Sequence, residues 1–225
     1  VFLLMLIFGG IILDKAGIRI TGIGATLLMV AGTGIKYWAV STTSLNGLVL
    51  LGLNAQVLWA SIGFAIFAVG VEVSGITVSK IIVKWFKGKE LATAMGLEMA
   101  MARIGTAFAL GFSVPIAKAT GIIDVSRPIL VALIGLCIGF ISFLVYVMMD
   151  KKLDASMADS GHVEPEDEFK LSDIGQILKT RGWWYIAILC VLFYSAVFPF
   201  LKYATDLMVN KFGVNEDLAG MIPML

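Results

Sequence analysis

The sequence predicts an all-α polytopic membrane protein, a helical bundle of about seven visible spans. The chain of 225 residues is 59% hydrophobic and 15% charged, with a mean hydropathy of +0.95. Soluble domains are about 45–50% apolar and about 25% charged. Eight of the sixteen acidic residues lie between Asp150 and Asp173, so the remainder is almost continuously apolar. That remainder divides into runs of about 20 residues, the length that crosses a hydrocarbon core of about 30 Å at about 1.5 Å per residue. Such a composition excludes a soluble enzyme, a nucleic-acid binder and a disordered tail. A net charge of +1 offers nothing to a polyanion. Cys137 and Cys190 lie in apolar runs and read as membrane-embedded thiols rather than a disulfide. The single His162 stands in the charged stretch, and no zinc-type spacing occurs, so neither a metal nor a cofactor is expected.

Spans are expected at about 1–13, 19–39, 56–85, 90–116, 127–149 and 183–207, with a seventh starting near 216. Trp59, Trp85, Trp183 and Trp184 fall near span ends, where indoles favour the interface. Residues 40–55 read as an external loop of Ser, Thr, Asn and Gly around a short apolar stretch. Residues 150–181 hold eight acidic and five basic residues with Pro165, and read as one long polar linker. The expected domains are therefore a first bundle at 1–149, the linker at 150–181 and the start of a second bundle at 182–225. The chain opens at Val1 inside an apolar run without signal-peptide anatomy and closes inside another helix, so both ends read as cut.

Charge sets the orientation. One set of loops carries Lys15, Arg19, Lys84, Lys87, Lys89, Lys151, Lys152, Lys170, Lys179 and Arg181, with Lys80 one turn inside. The opposite set carries Lys36, Lys118, Arg127, Lys202 and Lys211. The positive-inside rule puts the richer set, and the linker, in the cytoplasm. A cytoplasmic linker between two bundles is the layout of transporters built from two halves.

Two constellations carry chemistry. The first is Gly10-Ile11-Ile12-Leu13-Asp14-Lys15-Ala16-Gly17-Ile18-Arg19. Gly10 permits close helix approach, Asp14 can accept hydrogen bonds at a helix start, Gly17 permits a tight turn, and Lys15 and Arg19 hold it in the cytoplasm. The plain alternative is a tight basic loop. The second constellation is Glu72, Glu98 and Arg103, deep in apolar spans. A charge at a helix centre costs about 2.5–3.5 kcal/mol, so each needs a partner or a wet cavity. Glu72 and Arg103 stand about equally far from the Lys87-Gly88 turn, about 20 Å along antiparallel helices, and so at one depth. Gly70, Ser74, Gly75, Gly96, Ala100 and Gly105 would let those two helices approach. Glu98 is five residues from Arg103, about 140° around the helix, and suits an interhelix bond or a proton site. The alternative for Glu72 and Arg103 is an ion pair that only holds helices together.

The glycine–aspartate–basic–glycine spacing of residues 10–19 resembles the signature loop of the major facilitator superfamily, which joins the second and third helices and acts as a conformational latch. The resemblance implies that Val1 lies in the second helix and that Gly10, Asp14, Lys15, Gly17 and Arg19 form the latch. Trp85-Phe86-Lys87-Gly88-Lys89-Glu90-Leu91, then Met101-Ala102-Arg103-Ile104-Gly105, resemble the lysosomal dipeptide uniporter branch and its bacterial relatives. Ala196-Val197-Phe198-Pro199-Phe200 and Lys211-Phe212-Gly213 resemble that branch's seventh helix and the loop after it. The resemblance implies that Glu72 on the fourth helix and Arg103 on the fifth contact the charged ends of a peptide. Two departures stand out: the branch has a neutral amide at Glu98, and its external loop at 40–55 is shorter.

Pro199 should loosen the seventh helix, where Tyr194 and Phe198 can line a cavity wall or face lipid. Arg127-Pro128 reads as an interface residue before a helix-start proline. The expected function is alternating-access transport of small solutes, with a facilitative carrier of dipeptides or other zwitterions foremost. A proton-coupled symporter of an organic anion, using Glu72 or Glu98, is the alternative. A receptor or scaffold is the reading outside transport, and an enzyme is the least expected. The expected partners are the lipid bilayer and a small-molecule substrate. The expected location is a bacterial inner membrane or, alternatively, a lysosomal one.

Overall fold

The computed structural model describes residues 2–45, 47–50, 52–86, 90–119, 121, 123–159, 175–176 and 178–219. Its helices are α1 (Phe2–Ser41), α2 (Ala55–Phe86), α3 (Leu91–Lys118), α4 (Ser126–Asp159), α5 (Arg181–Phe212) and α6 (Glu216–Ala219). Five of them are long and apolar enough to cross a membrane. The chain is thus a helical membrane bundle, with many Leu, Ile, Phe and Val side chains exposed. Two compact units divide it: Val1–Gly96 with Asp124–Asp167, and Leu97–Ile123 with Glu168–Leu225.

In the first unit, α1 is two helices joined at Gly17, whose φ of 77° and ψ of 168° are non-helical. Packing along α2 shows that the two halves run in opposite directions. Gly9 faces Val73 and Ile76 while Asp14 meets Lys80, so the first half is parallel to α2. Ala25 and Met29 face Gly70 while Gly32 faces Gly63, so the second half is antiparallel to it. These are the two spans expected at 1–13 and 19–39. A single glycine suffices for the reversal because positive φ costs it nothing.

The seam between α1 and α2 is built on absent side chains. A Cβ at Gly32 would lie 2.4 Å from the Phe67 amide nitrogen, and one at Gly63 would lie 2.7 Å from the Gly32 carbonyl oxygen. One at Gly70 would lie 2.7 Å from the Ala25 carbonyl oxygen. Such backbone-to-backbone packing is how membrane helices associate when no hydrophobic driving force separates protein from lipid. The α4 helix also packs on α1, with the Phe143 ring against Gly22. Gly70, expected from the sequence to help α3 approach, packs within its unit against Ala25 and Met29 of α1.

Residues 42–54 form a 3₁₀ turn (Thr43–Leu45) and a minimal antiparallel pair, β1 (Val49–Leu50) with β2 (Leu53–Asn54). Both strands belong to this connection and not to a span. At the same end of the unit, Asp124 opens α4 by accepting bonds from the Ser126 amide at 2.9 Å and hydroxyl at 2.6 Å. The Ser126 hydroxyl, its amide and the Arg127 guanidinium together hold the Asp124 carboxyl below its ordinary value of 3.8.

The α4 helix continues to Asp159, ten residues into the stretch read as linker. Asp150 and Asp154 are one helical turn apart, and both carboxylates find cations on neighbouring helices, which keeps the helix wound. Residues 160–174 lie outside the described part.

In the second unit, α5 runs unbroken through Pro199 and ends at Gly213, whose φ of 65° forms a left-handed cap. Of the seventh span, expected from about residue 216, α6 covers Glu216–Ala219 and the rest lies outside the described residues.

Candidate functional site

One end of the first unit gathers its charges. Asp150 is 1% exposed and accepts from three helices. Arg19 Nε donates to its Oδ2 at 2.7 Å, and Lys84 Nζ to its Oδ1 at 2.9 Å. The Trp85 indole at 3.3 Å and the Tyr146 hydroxyl at 3.2 Å complete the shell. Arg19 and Lys84 also reach Asp154, the latter at 2.7 Å. Arg19 lies just past the Gly17 reversal, so this cluster fixes the direction in which the second half of α1 departs. Before the reversal, Asp14 is tied only by Lys80 Nζ at 2.9 Å, with 37% and 27% of the two side chains exposed. An open cavity of about 430 Å³ lies among these residues, lined by Asp14, Gly17, Arg19, Lys80, Lys84, Asp150 and Asp154.

The proposed latch residues fall on this end with different surroundings. Asp14 and Arg19 are ion-paired, Gly17 makes the turn, and Lys15 is exposed. Toward α2, the glycine in close contact is Gly9 and not Gly10. A Cβ there would meet nothing within 4 Å, whereas one on Gly9 would lie 3.0 Å from the Val73 side chain. Helical phase explains it, since the stripe toward α2 passes through residue 9. Asp150, Asp154, Lys84, Trp85 and Tyr146 were missed as members of the cluster. The i, i+4 spacing of the two aspartates at the end of an apolar run was the signal that could have found them.

Glu72 lies midway along α2, seventeen residues after Ala55 and fourteen before Phe86. It is nine residues from Gly63, two and a half helical turns, so it points away from the Gly63 and Gly70 stripe that packs on the second half of α1, whereas Ile76, about 40° from it around the helix, packs on the first half at Gly9. The side chain is half-buried, and within its unit it has no ion-pair or hydrogen-bond partner among the described residues. Arg103 belongs to the second unit, exposed on α3, where Phe108 and Phe112 stack at 5.4 Å further along. Glu98, half-buried, stands on α3 five residues before Arg103. The turn at residues 87–89, about which the depths of Glu72 and Arg103 were compared, lies outside the described residues. On α5, Tyr194 and Phe198 are brought together as an i, i+4 pair, with rings stacked at 5.1 Å and 20°. Neither ring is buried, at 48% and 60% exposed.

Comparison with known proteins gives one consistent group of relatives. The chain is 27% identical over 180 residues to the lysosomal dipeptide transporter MFSD1 of Gallus gallus, covering 76% of this chain and 40% of that protein. It is 27% identical over 221 residues to the MFSD1 of Danio rerio, covering 91% and 43%. To the Homo sapiens MFSD1 it is 27% identical over 171 residues, covering 71% and 35%. The chain therefore spans less than half the length of these curated relatives. No family model matches, and no solved structure matches. Along most of its own length, this helical membrane chain is thus similar to the lysosomal dipeptide transporters MFSD1.

Proposed function

We propose that the chain forms part of a facilitative, alternating-access carrier of small zwitterions, dipeptides foremost. The observation that carries this reading is Glu72, a half-buried carboxylate at mid-span with no ion-pair or hydrogen-bond partner in its unit among the described residues. An unpaired carboxylate in lipid is costly, so a wet, ligand-bearing surface suits it. The ammonium of a zwitterion is the natural counter-ion. Arg103 supplies the complementary group, because a guanidinium can grip a carboxylate at two points. The printed names of the relatives support a dipeptide as the ligand. Tyr194 and Phe198 present a stacked pair against which an apolar peptide side chain can lie.

In this reading the charged end of the first unit faces the cytoplasm, as its Lys and Arg content suggests. Asp14, tied by one exposed contact, is the releasable part of the latch. Arg19, held by the buried Asp150, is the anchored part. Of the two membranes considered from the sequence, the relatives' names support the lysosomal one.

The test is thermal unfolding of the full-length protein with dipeptides, free amino acids and organic acids, followed by uptake of any stabilising ligand into vesicles. Binding to the native state raises the melting temperature by mass action. Stabilisation by dipeptides, with uptake indifferent to an imposed pH gradient, is expected. Stabilisation by organic anions alone, with pH-driven accumulation, would replace the proposal by proton-coupled symport.

A further inference from the structure

We propose that the connection between α1 and α2, described at residues 42–45, 47–50 and 52–54, is a membrane-anchoring hairpin, which inserts the aliphatic side chains of Leu48, Val49, Leu50 and Leu53 into the lipid leaflet at the end of the first unit opposite the charged cluster. From Tyr37 to Val71 the sequence carries no charged residue. Two hydrogen bonds of Gln56 tie the connection to its own base. Gln56 donates its side-chain amide to the Thr42 carbonyl at 3.3 Å, and its backbone amide to Asn54 Oδ1 at 2.9 Å. The Ala55 amide donates to the Leu48 carbonyl at 2.8 Å, closing the hairpin onto the start of α2.

The apolar side chains project outward. Leu48, Val49, Leu50 and Leu53 are 52%, 70%, 46% and 51% exposed. A hairpin built to face water keeps its aliphatic side chains underneath. Trp38 and Trp59 form an edge-to-face pair at 5.8 Å just below the hairpin, where indoles mark the membrane interface. Trp38 is three residues, about 4.5 Å, from the end of α1, and each headgroup layer is about 5–7 Å thick. The hairpin backbone therefore starts inside the headgroup layer. That depth suits its two open strand edges, since their unpaired amides and carbonyls still find water or lipid esters there. The side chains then reach the upper acyl carbons.

Lipid is the occupant because the hairpin surface continues that of the two spans it joins. Trp38 and Val57, directly below, are 47% and 56% exposed. The patch also carries no charge with which to select an aqueous ligand.

The full-length chain with Cys137 and Cys190 changed to Ala, and one new cysteine in Val49→Cys or in Leu53→Cys, is labelled with an environment-sensitive nitrobenzoxadiazole dye in phosphatidylcholine vesicles. At both positions the emission should be blue-shifted from that of the dye in buffer. A nitroxide near the top of the acyl chain should remove most of it, and aqueous iodide little. Strong iodide quenching at either position would put the hairpin in water. Resistance to both quenchers would mean that protein covers it. Either result overturns the proposal, and neither depends on what the protein transports.

Discussion

Arg103 and Asp150 show how differently two charges in one membrane protein can be used. Asp150 accepts four hydrogen bonds from groups of its own unit, three at Oδ1 and one at Oδ2, and is the kind of charge that is expensive to disturb. Removing one partner of a buried ionic cluster typically costs about 3–5 kcal/mol. Asp150→Asn should therefore lower thermal stability by an amount toward the lower end of that range, because Asp154 still engages Arg19 and Lys84. Lys80→Ala, which frees the exposed Asp14, should cost about 0–1 kcal/mol in the same unfolding assay. Equal losses would mean that the two ends of the turn are equally anchored. Arg103→Lys keeps the charge but loses the planar two-point grip, so uptake of dipeptides should fall about tenfold or more while stability holds. Unchanged uptake would show that Arg103 does not read a carboxylate.

Helix packing extends the same contrast to whole elements. The α1–α2 seam has no room at Gly32, where an added Cβ would strike backbone, whereas at Gly24 it would meet nothing within 4 Å. Gly32→Val should cost about 1–3 kcal/mol by forcing the helices apart. Gly24→Ala should stay within about 0.5 kcal/mol of the parent in the same thermal unfolding. At the start of α4, Asp124 has its pKa lowered by the hydrogen bond from the Ser126 hydroxyl foremost. Its stabilising effect is complete above pH 3.8, the ordinary value, and is lost as pH falls through the lowered one. Asp124→Asn should therefore flatten part of the acid limb of a stability–pH profile.

The elements were legible in the sequence wherever apolar length decided them. The reversal at Gly17 and the spans around it follow from glycine chemistry and from 20-residue runs. The end of α4 was not legible in the same way, because hydropathy falls at Asp150 although the helix does not stop. What continues it is the pairing of Asp150 and Asp154 with Arg19 and Lys84, contacts more than sixty residues away in sequence. The strand pair at 49–54 was missed because two residues per strand carry no period. The choice of Gly9 over Gly10 depended on a helical phase that only the packed seam sets.

At the scale of the whole molecule, membrane sidedness and the ligand join these parts. A cysteine introduced in Lys152→Cys, on the charged end, should react with a membrane-impermeant maleimide only from the cytoplasmic side. Reaction from the opposite face alone would invert the orientation and move the latch to the other surface. The transport proposal is tested most directly at Glu72. Initial uptake of a free dipeptide and of its N-acetylated form is compared between the parent protein and Glu72→Gln in proteoliposomes. The account predicts that Glu72→Gln raises KM for the free dipeptide at least several-fold and leaves the acetylated one nearly unchanged, because only the free amino terminus loses an ionic partner. Equal losses for both peptides, or none for either, would contradict it.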